Sequence, residues 1–154
     1  MGNQTRDQEL VLDAIAQLQR LSDAFVKRRA QLARGVGLSE QQWRVLEEIS
    51  TEHFIPSMFA RSQESSAAAV SKILRQLLDK GLVAVSVSSS DGRQREYELT
   101  TAGRDVMRKL RADRQRAIDQ IWARFSRQEL TRFCNFATGL TQSIEHYASS
   151  EDKE

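Results

Sequence analysis

The architecture follows from one stretch, Ser66-Ala-Ala-Ala-Val-Ser-Lys-Ile-Leu-Arg-Gln-Leu-Leu-Asp-Lys-Gly81. Val70, Ile73, Leu74, Leu77 and Leu78 recur at the i, i+3, i+4, i+7, i+8 spacing of one helical face. Ser65 or Ser66 is placed to cap the helix, and Gly81 after Lys80 marks its end, so the spacing predicts a helix over 66–80. Its opposite face carries Ala68, Ser71, Lys72 and Arg75, small side chains first and cations after. A helix without bulk at its leading end approaches a partner closely, and its two cations suit a polyanion.

Outward from this helix the period changes. Leu82-Val-Ala-Val-Ser-Val-Ser88 and Arg95-Glu-Tyr-Glu-Leu-Thr100 alternate apolar and polar residues, as half-buried strands do. Ser88-Ser-Ser-Asp-Gly-Arg93 joins them, with Asp91-Gly92 as the hairpin signal. Thr100 or Thr101 then caps a further helix. A helix, a short hairpin over 82–99 and another helix make a winged helix-turn-helix layout over 38–104. Its hairpin tip presents Arg93 to a neighbouring groove. Ser66 offers its hydroxyl and backbone N–H to a phosphate, while Ala68 permits close approach or touches a thymine methyl. Ser71, Lys72 and Arg75 are candidates for base edges or phosphates. Asp91 is placed to brace Arg93 or Arg95 by an ion pair, the alternative being a plain turn former.

Val70-Ser-Lys-Ile-Leu-Arg-Gln-Leu-Leu-Asp-Lys-Gly-Leu-Val83, Asp91-x-Arg93 and Leu99-Thr100-x-x-Gly103, in that order and spacing, resemble the signature of the MarR (multiple antibiotic resistance regulator) family of transcription factors. The resemblance implies a homodimer that binds double-stranded DNA at a pseudo-palindromic operator. It also implies release by a small phenolic or other aromatic ligand. The segment Leu38-Ser-Glu-Gln-Gln-Trp-Arg-Val-Leu46 is similar to regulators of aromatic-acid catabolism. In relatives the ligand lies between the dimerisation helices and the winged module, which here implicates Phe25, Arg29, Trp43, Arg44 and Arg111. Each of these also has an ordinary reading: Trp43 as core, the arginines as solvated surface. The sequence departs from the family pattern at Gln63 and Ser65, where apolar residues are usual.

Composition agrees with a single regulatory unit of 154 residues. Hydrophobic residues make up 40% and charged residues 29%, which fits amphipathic helices and excludes a disordered chain. The net charge is only +2, so attraction to DNA must come from local clustering. Between Ser57 and Arg104 seven Lys or Arg face five Asp or Glu. No apolar run approaches the ~20 residues of a membrane span. The opening residues resemble no signal peptide, so a cytoplasmic protein is expected.

Long amphipathic helices flank the winged module. Thr5-x-x-Gln8 reads as a capping box opening a helix over 6–34, with Leu10, Ala14, Leu18, Leu21, Phe25 and Leu32 on one side. A small winged domain cannot cover that stripe, so a partner chain is expected. Ser39-x-x-Gln42 opens a second helix with Trp43, Leu46 and Ile49 inward. His53-Phe-Ile-Pro56 suits a short edge strand, and Ser57 caps a brief helix over 58–63. After the wing, 101–125 reads as a long helix, and Ser126-x-x-Glu129 opens a last one over 127–148 followed by a frayed tail. The fold class is thus mainly α (α+β), with dimerisation helices at 6–34 and 101–148.

Two other functions compete: a helical dimerisation or adaptor protein whose winged module contacts protein, and a thiol redox sensor acting through Cys134. Cys134 lies between Phe133 and Phe136 on a stripe with Leu130, Ala137 and Leu140, which favours core packing over reactivity. His53 and His146 lack partners at ligand spacing, so no metal is expected. No phosphate-binding glycine loop, nucleophile elbow or acidic pair occurs, and neither a cofactor nor an enzymatic activity is expected.

Overall fold

The computed structural model describes residues 2–51, 54–87 and 95–151. The elements run α1 (Gly2–Arg34), α2 (Glu40–Ile49), α3 (Pro56–Ser62), α4 (Ala67–Asp79), β1 (Val83–Val87), β2 (Arg95–Leu99), α5 (Thr101–Ile121), a short 3-10 turn (Trp122–Arg124) and α6 (Arg127–Glu151). Two compact units share them, the first over 1–113 and the second over 114–154.

The first unit is the winged module together with α1. Its core joins Leu32 and Ala33 of α1 to Trp43, Val45, Leu46 and Ile49 of α2, Phe59 and Ala60 of α3, and Val70, Leu74 and Leu77 of α4. Leu82, Val83, Met107 and Leu110 complete it. Each fully buried Leu here contributes about 1.5–3 kcal/mol by leaving water. Ile73 and Leu78 flank the buried stripe of α4 and are half-buried. Two predicted caps form as expected. Ser39 and Gln42 make a reciprocal capping box, and Ser66 accepts from the Ala69 N–H at 3.1 Å. β1 and β2 pair antiparallel, Val83 opposite Leu99 and Val87 opposite Arg95.

The joint between hairpin and α5 explains Thr100-x-x-Gly103. The Thr100 hydroxyl donates to the Gly81 carbonyl at 2.7 Å and accepts from the Gly103 N–H at 3.0 Å. Gly103 then rests against the Leu82 backbone so closely that a Cβ there would lie 2.1 Å from the Leu82 carbonyl oxygen. Gly81 itself has φ +67°, a left-handed conformation that glycine adopts without penalty.

Several expected boundaries shift. α1 begins at Gly2, so Thr5 stands inside the helix and not at its start. Phe54 and Ile55 form no edge strand, and His53 lies outside the described residues. Pro56 instead opens α3 at its first turn, where a missing N–H costs nothing and a fixed φ is already helical. Ile55, not Ser57, is its N-cap, with no side-chain bond. α5 ends at Ile121 and tightens into the 3-10 turn where a helix to 125 was expected. α6 runs on to Glu151 through the segment expected to fray.

In the second unit, Ser126 caps α6 as predicted. The Ser126 N–H donates to Glu129 Oε2 at 2.8 Å and the Ser126 hydroxyl accepts from the Glu129 N–H at 3.2 Å. The Ser126 hydroxyl also donates to Glu129 Oε2 at 2.7 Å, and this bond, followed by the one from the Ser126 N–H, holds the Glu129 carboxyl below its ordinary pKa. Cys134 is exposed, not packed in a core. The reason is that Phe133, Phe136, Ile144 and Tyr147 of α6 are themselves exposed, so within this chain the stripe is left uncovered.

Candidate nucleic-acid interface

α4 presents its buried face to α2, α3 and β1 and its other face to solvent. Ser66, Ala68, Ser71, Lys72 and Arg75 are all exposed. Apolar packing of Val70, Leu74 and Leu77 fixes the rotation of the helix, so the cationic face cannot turn inward without opening the core. A side-chain bond from Gln42 Nε2 to Gln76 Oε1 at 3.0 Å pins α4 to α2. At the helix end, Lys80 Nζ donates to the Gly37 carbonyl at 2.9 Å. Among the described residues Lys72 and Arg75 have no acidic partner, whereas Arg29, Arg44 and Arg108 are each held by a carboxylate. An exposed helix with uncompensated cations beyond a small-residue leading end suits a phosphate backbone and a groove floor. Asp91 and Arg93 lie outside the described residues.

Arg95 sits apart from that face. Strand alternation puts it on the side of β2 shared with Tyr97 and Leu99. There it lines a cleft of about 880 Å³ with Ile49, Phe54, Met107 and the arginines of α5. Arg104, Arg108 and Arg111 follow one another at i, i+4 and i+7 along that helix. Tyr97 packs edge-on against Phe54 with ring centroids 6.0 Å apart, giving the cleft an aromatic wall. Arg104 is fixed by the Leu99 carbonyl and Arg108 by Asp105 at 2.9 Å. Arg95 and Arg111 carry no acidic partner among the described residues. Spacing along α5 made the arginine row legible in the sequence; that β2 and the end of α2 close over it was not.

Of Phe25, Arg29, Trp43, Arg44 and Arg111, the described residues bring Arg29 onto Trp43, while Arg44 and Arg111 line separate hollows. The Arg29 guanidinium lies 4.2 Å over the Trp43 ring and pairs with Glu40 and Glu47 at 2.8 and 3.0 Å. Trp43 is buried, and its indole N–H has no acceptor among the described residues. Arg44 also pairs with Glu40. Phe25 is half exposed on α1, and Arg111 belongs to the other cleft. No group of three or more His, Cys, Asp or Glu among the described residues is placed to hold a metal. No described helix is long and apolar enough to cross a membrane.

Comparison with known proteins agrees with this geometry. The MarR family model matches residues 36–94. No curated protein sequence matches the chain. Among solved structures, a MarR family transcription regulator superposes with a TM-score of 0.84 at 20% identity, over 94% of this chain and 97% of that one. YusO from Bacillus subtilis gives 0.70 at 20% identity, over 88% and 96%. The S. aureus MepR–DNA complex gives 0.66 at 17% identity, over 83% and 94%. The match over residues 36–94, the segment that holds α2, the helix-turn-helix and the first strand of the wing, is thus to the MarR family model, and the chain as a whole has the fold seen in MarR family transcription regulators.

Proposed function

We propose that the chain is a homodimeric, ligand-responsive repressor that binds a pseudo-palindromic operator through α4. The observation that carries this reading is the exposed, uncompensated Lys72–Arg75 face behind Ser66 and Ala68, on a helix whose rotation the core fixes. Two such helices in a two-fold dimer would enter successive major grooves about 34 Å apart. Ser66 takes a phosphate at the helix N-terminus, and Ser71, Lys72 and Arg75 reach base edges or phosphates. Arg93 at the wing tip reaches the adjoining minor groove, and Asp91 braces it. Base reading through so few donors is sparse, which leaves part of the specificity to groove shape. The similarity to the S. aureus MepR–DNA complex supports the same use of the fold.

For the effector we propose the cleft of Arg95, Arg104, Arg108 and Arg111, whose aromatic wall and four arginines, against the two glutamates Glu96 and Glu98, suit a small aromatic carboxylate or phenolate. Arg29 and Arg44 are less suited to an anion, because glutamates already neutralise them. A ligand that binds better to a conformer with the wrong spacing of α4 helices releases the operator by differential affinity alone.

Selection from a pool of random-sequence duplexes, followed by titration of the enriched duplex, tests the first part. The expected product is an inverted repeat whose affinity falls on the order of a thousandfold between about 50 and 200 mM salt, for six or more phosphate contacts. Retention of no duplex, or binding indifferent to salt, refutes it and favours the protein-contact reading.

A further inference from the structure

The turn between α3 and α4 lacks the apolar residues that usually plug such a turn. Gln63 ends α3, Glu64 follows with φ +49°, and the Ser65 N–H returns to the Ala60 carbonyl at 2.9 Å. The Glu64 N–H also donates to the Arg61 carbonyl at 3.3 Å, so backbone bonds within the turn hold the left-handed residue, and a side-chain contact from α2 adds to them. The side chain of Gln63 reaches across to α2, where its Oε1 accepts from Arg44 Nη1 at 2.8 Å. Arg44 and Gln63 line an open groove of about 380 Å³ together with Glu40, Phe59, Val70 and Ile73.

Arg44 is itself held. Its Nε donates to Glu40 Oε1, one turn back on α2. The same oxygen lies 2.8 Å from Arg29 Nε of α1, and Arg29 Nη2 donates to Glu47 Oε2 at 3.0 Å. A single guanidinium thus makes two bonds at once, one to the α1–α2 framework and one to the turn. The planar fork of arginine allows that geometry, and a lysine ammonium does not reproduce it.

We propose that Arg44, with Gln63, is a positioning residue for DNA recognition: the Glu40–Arg44–Gln63 strut fixes the turn and with it the angle at which the N-terminus of α4 meets DNA. Arg44 touches no nucleic acid in this arrangement; it acts through Gln63. The inference rests on the DNA-binding reading above, and on that reading removing the strut lowers affinity without removing a phosphate contact.

The test uses the full-length protein and the duplex enriched by selection. Arg44→Gln, Arg44→Lys, Gln63→Leu and the double variant R44Q/Q63L are titrated against that duplex from low to moderate salt. Melting curves confirm that each variant is folded. Each single variant is expected to bind about three- to tenfold more weakly, with Arg44→Lys as impaired as Arg44→Gln. The double variant is expected to be no worse than the weaker single, because both remove one interaction. The slope of log affinity against log salt is expected to stay that of the wild type. A slope shallower by about 0.9 in Arg44→Gln, restored in Arg44→Lys, would make Arg44 a phosphate contact and overturn the proposal. Wild-type affinity in Arg44→Gln or in Gln63→Leu, or strictly additive losses in the double variant, would overturn it as well. If the wild-type chain selects no duplex, the DNA-binding reading fails first, so the two failures are distinct.

Discussion

Ser66 shows how much one side chain sets at the leading end of α4. Its oxygen satisfies the Ala69 N–H, one of the donors that a helix start leaves unpaired. The next three residues are alanines, which offer no substitute cap. Ser66→Ala is expected to cost about 1 kcal/mol of stability, within the usual 0.5–2 kcal/mol for a lost cap. A thermal melt reads this as a drop of a few degrees; an unchanged melt would mean the cap contributes nothing. Ser66 was legible in the sequence because capping involves neighbours within three positions. Cys134 was not, because its place among Phe133, Phe136 and Leu140 predicts an apolar face and says nothing of what covers that face. The same holds for Arg29 and Arg44, cations whose neutralisation by Glu40 and Glu47 depends on where α1 meets α2.

Between elements, the hairpin–α5 joint is a close contact of two backbones. Gly103 lets α5 lie against Leu82, while Thr100 ties the same helix start to Gly81. Gly103→Ala would drive a methyl group into the Leu82 backbone, which no rotamer change relieves. It is expected to destabilise by about 2 kcal/mol or more, as overpacking and backbone shifts do. The helix gains only about 1 kcal/mol from replacing glycine. Chemical denaturation measures the sum, and a variant as stable as wild type would show that the joint relaxes freely. Gly103 was legible as part of a pattern, and its reason emerged only when Leu82 was found beside it. The reverse happened at Pro56. An edge strand and a first helical turn both tolerate a residue without an N–H, and the local sequence does not choose between them. Packing of Phe59 and Ala60 into the core chose the helix.

The exposed apolar side chains belong to the scale of the whole molecule. On α1, Leu10, Val11, Ile15, Phe25 and Val26 are exposed, and on α6 so are Phe136, Ile144 and Tyr147. Surfaces of this kind are rare on a monomer and mark an interface. We expect a dimer by light scattering, and a Phe136→Glu, Ile144→Glu variant is expected to run as a monomer. That variant should lose most of its operator affinity, since two linked half-sites bind far better than one. A wild-type monomer with full affinity for an inverted repeat would rule this out.

The sequence by itself determined the helices, the wing strands, the caps at Ser39, Ser66 and Ser126, and the outward face of α4. All of these are properties of residues a few positions apart, where periodicity and capping act. The tertiary structure alone decided that Arg95 joins Arg104, Arg108 and Arg111 around one cleft, and that Arg29 and Arg44 are spent on glutamates. It also decided that a polar strut stands where the helix-turn-helix usually has an apolar plug. Charges and cavities depend on which distant segments arrive beside one another, and no local pattern in the chain encodes that meeting.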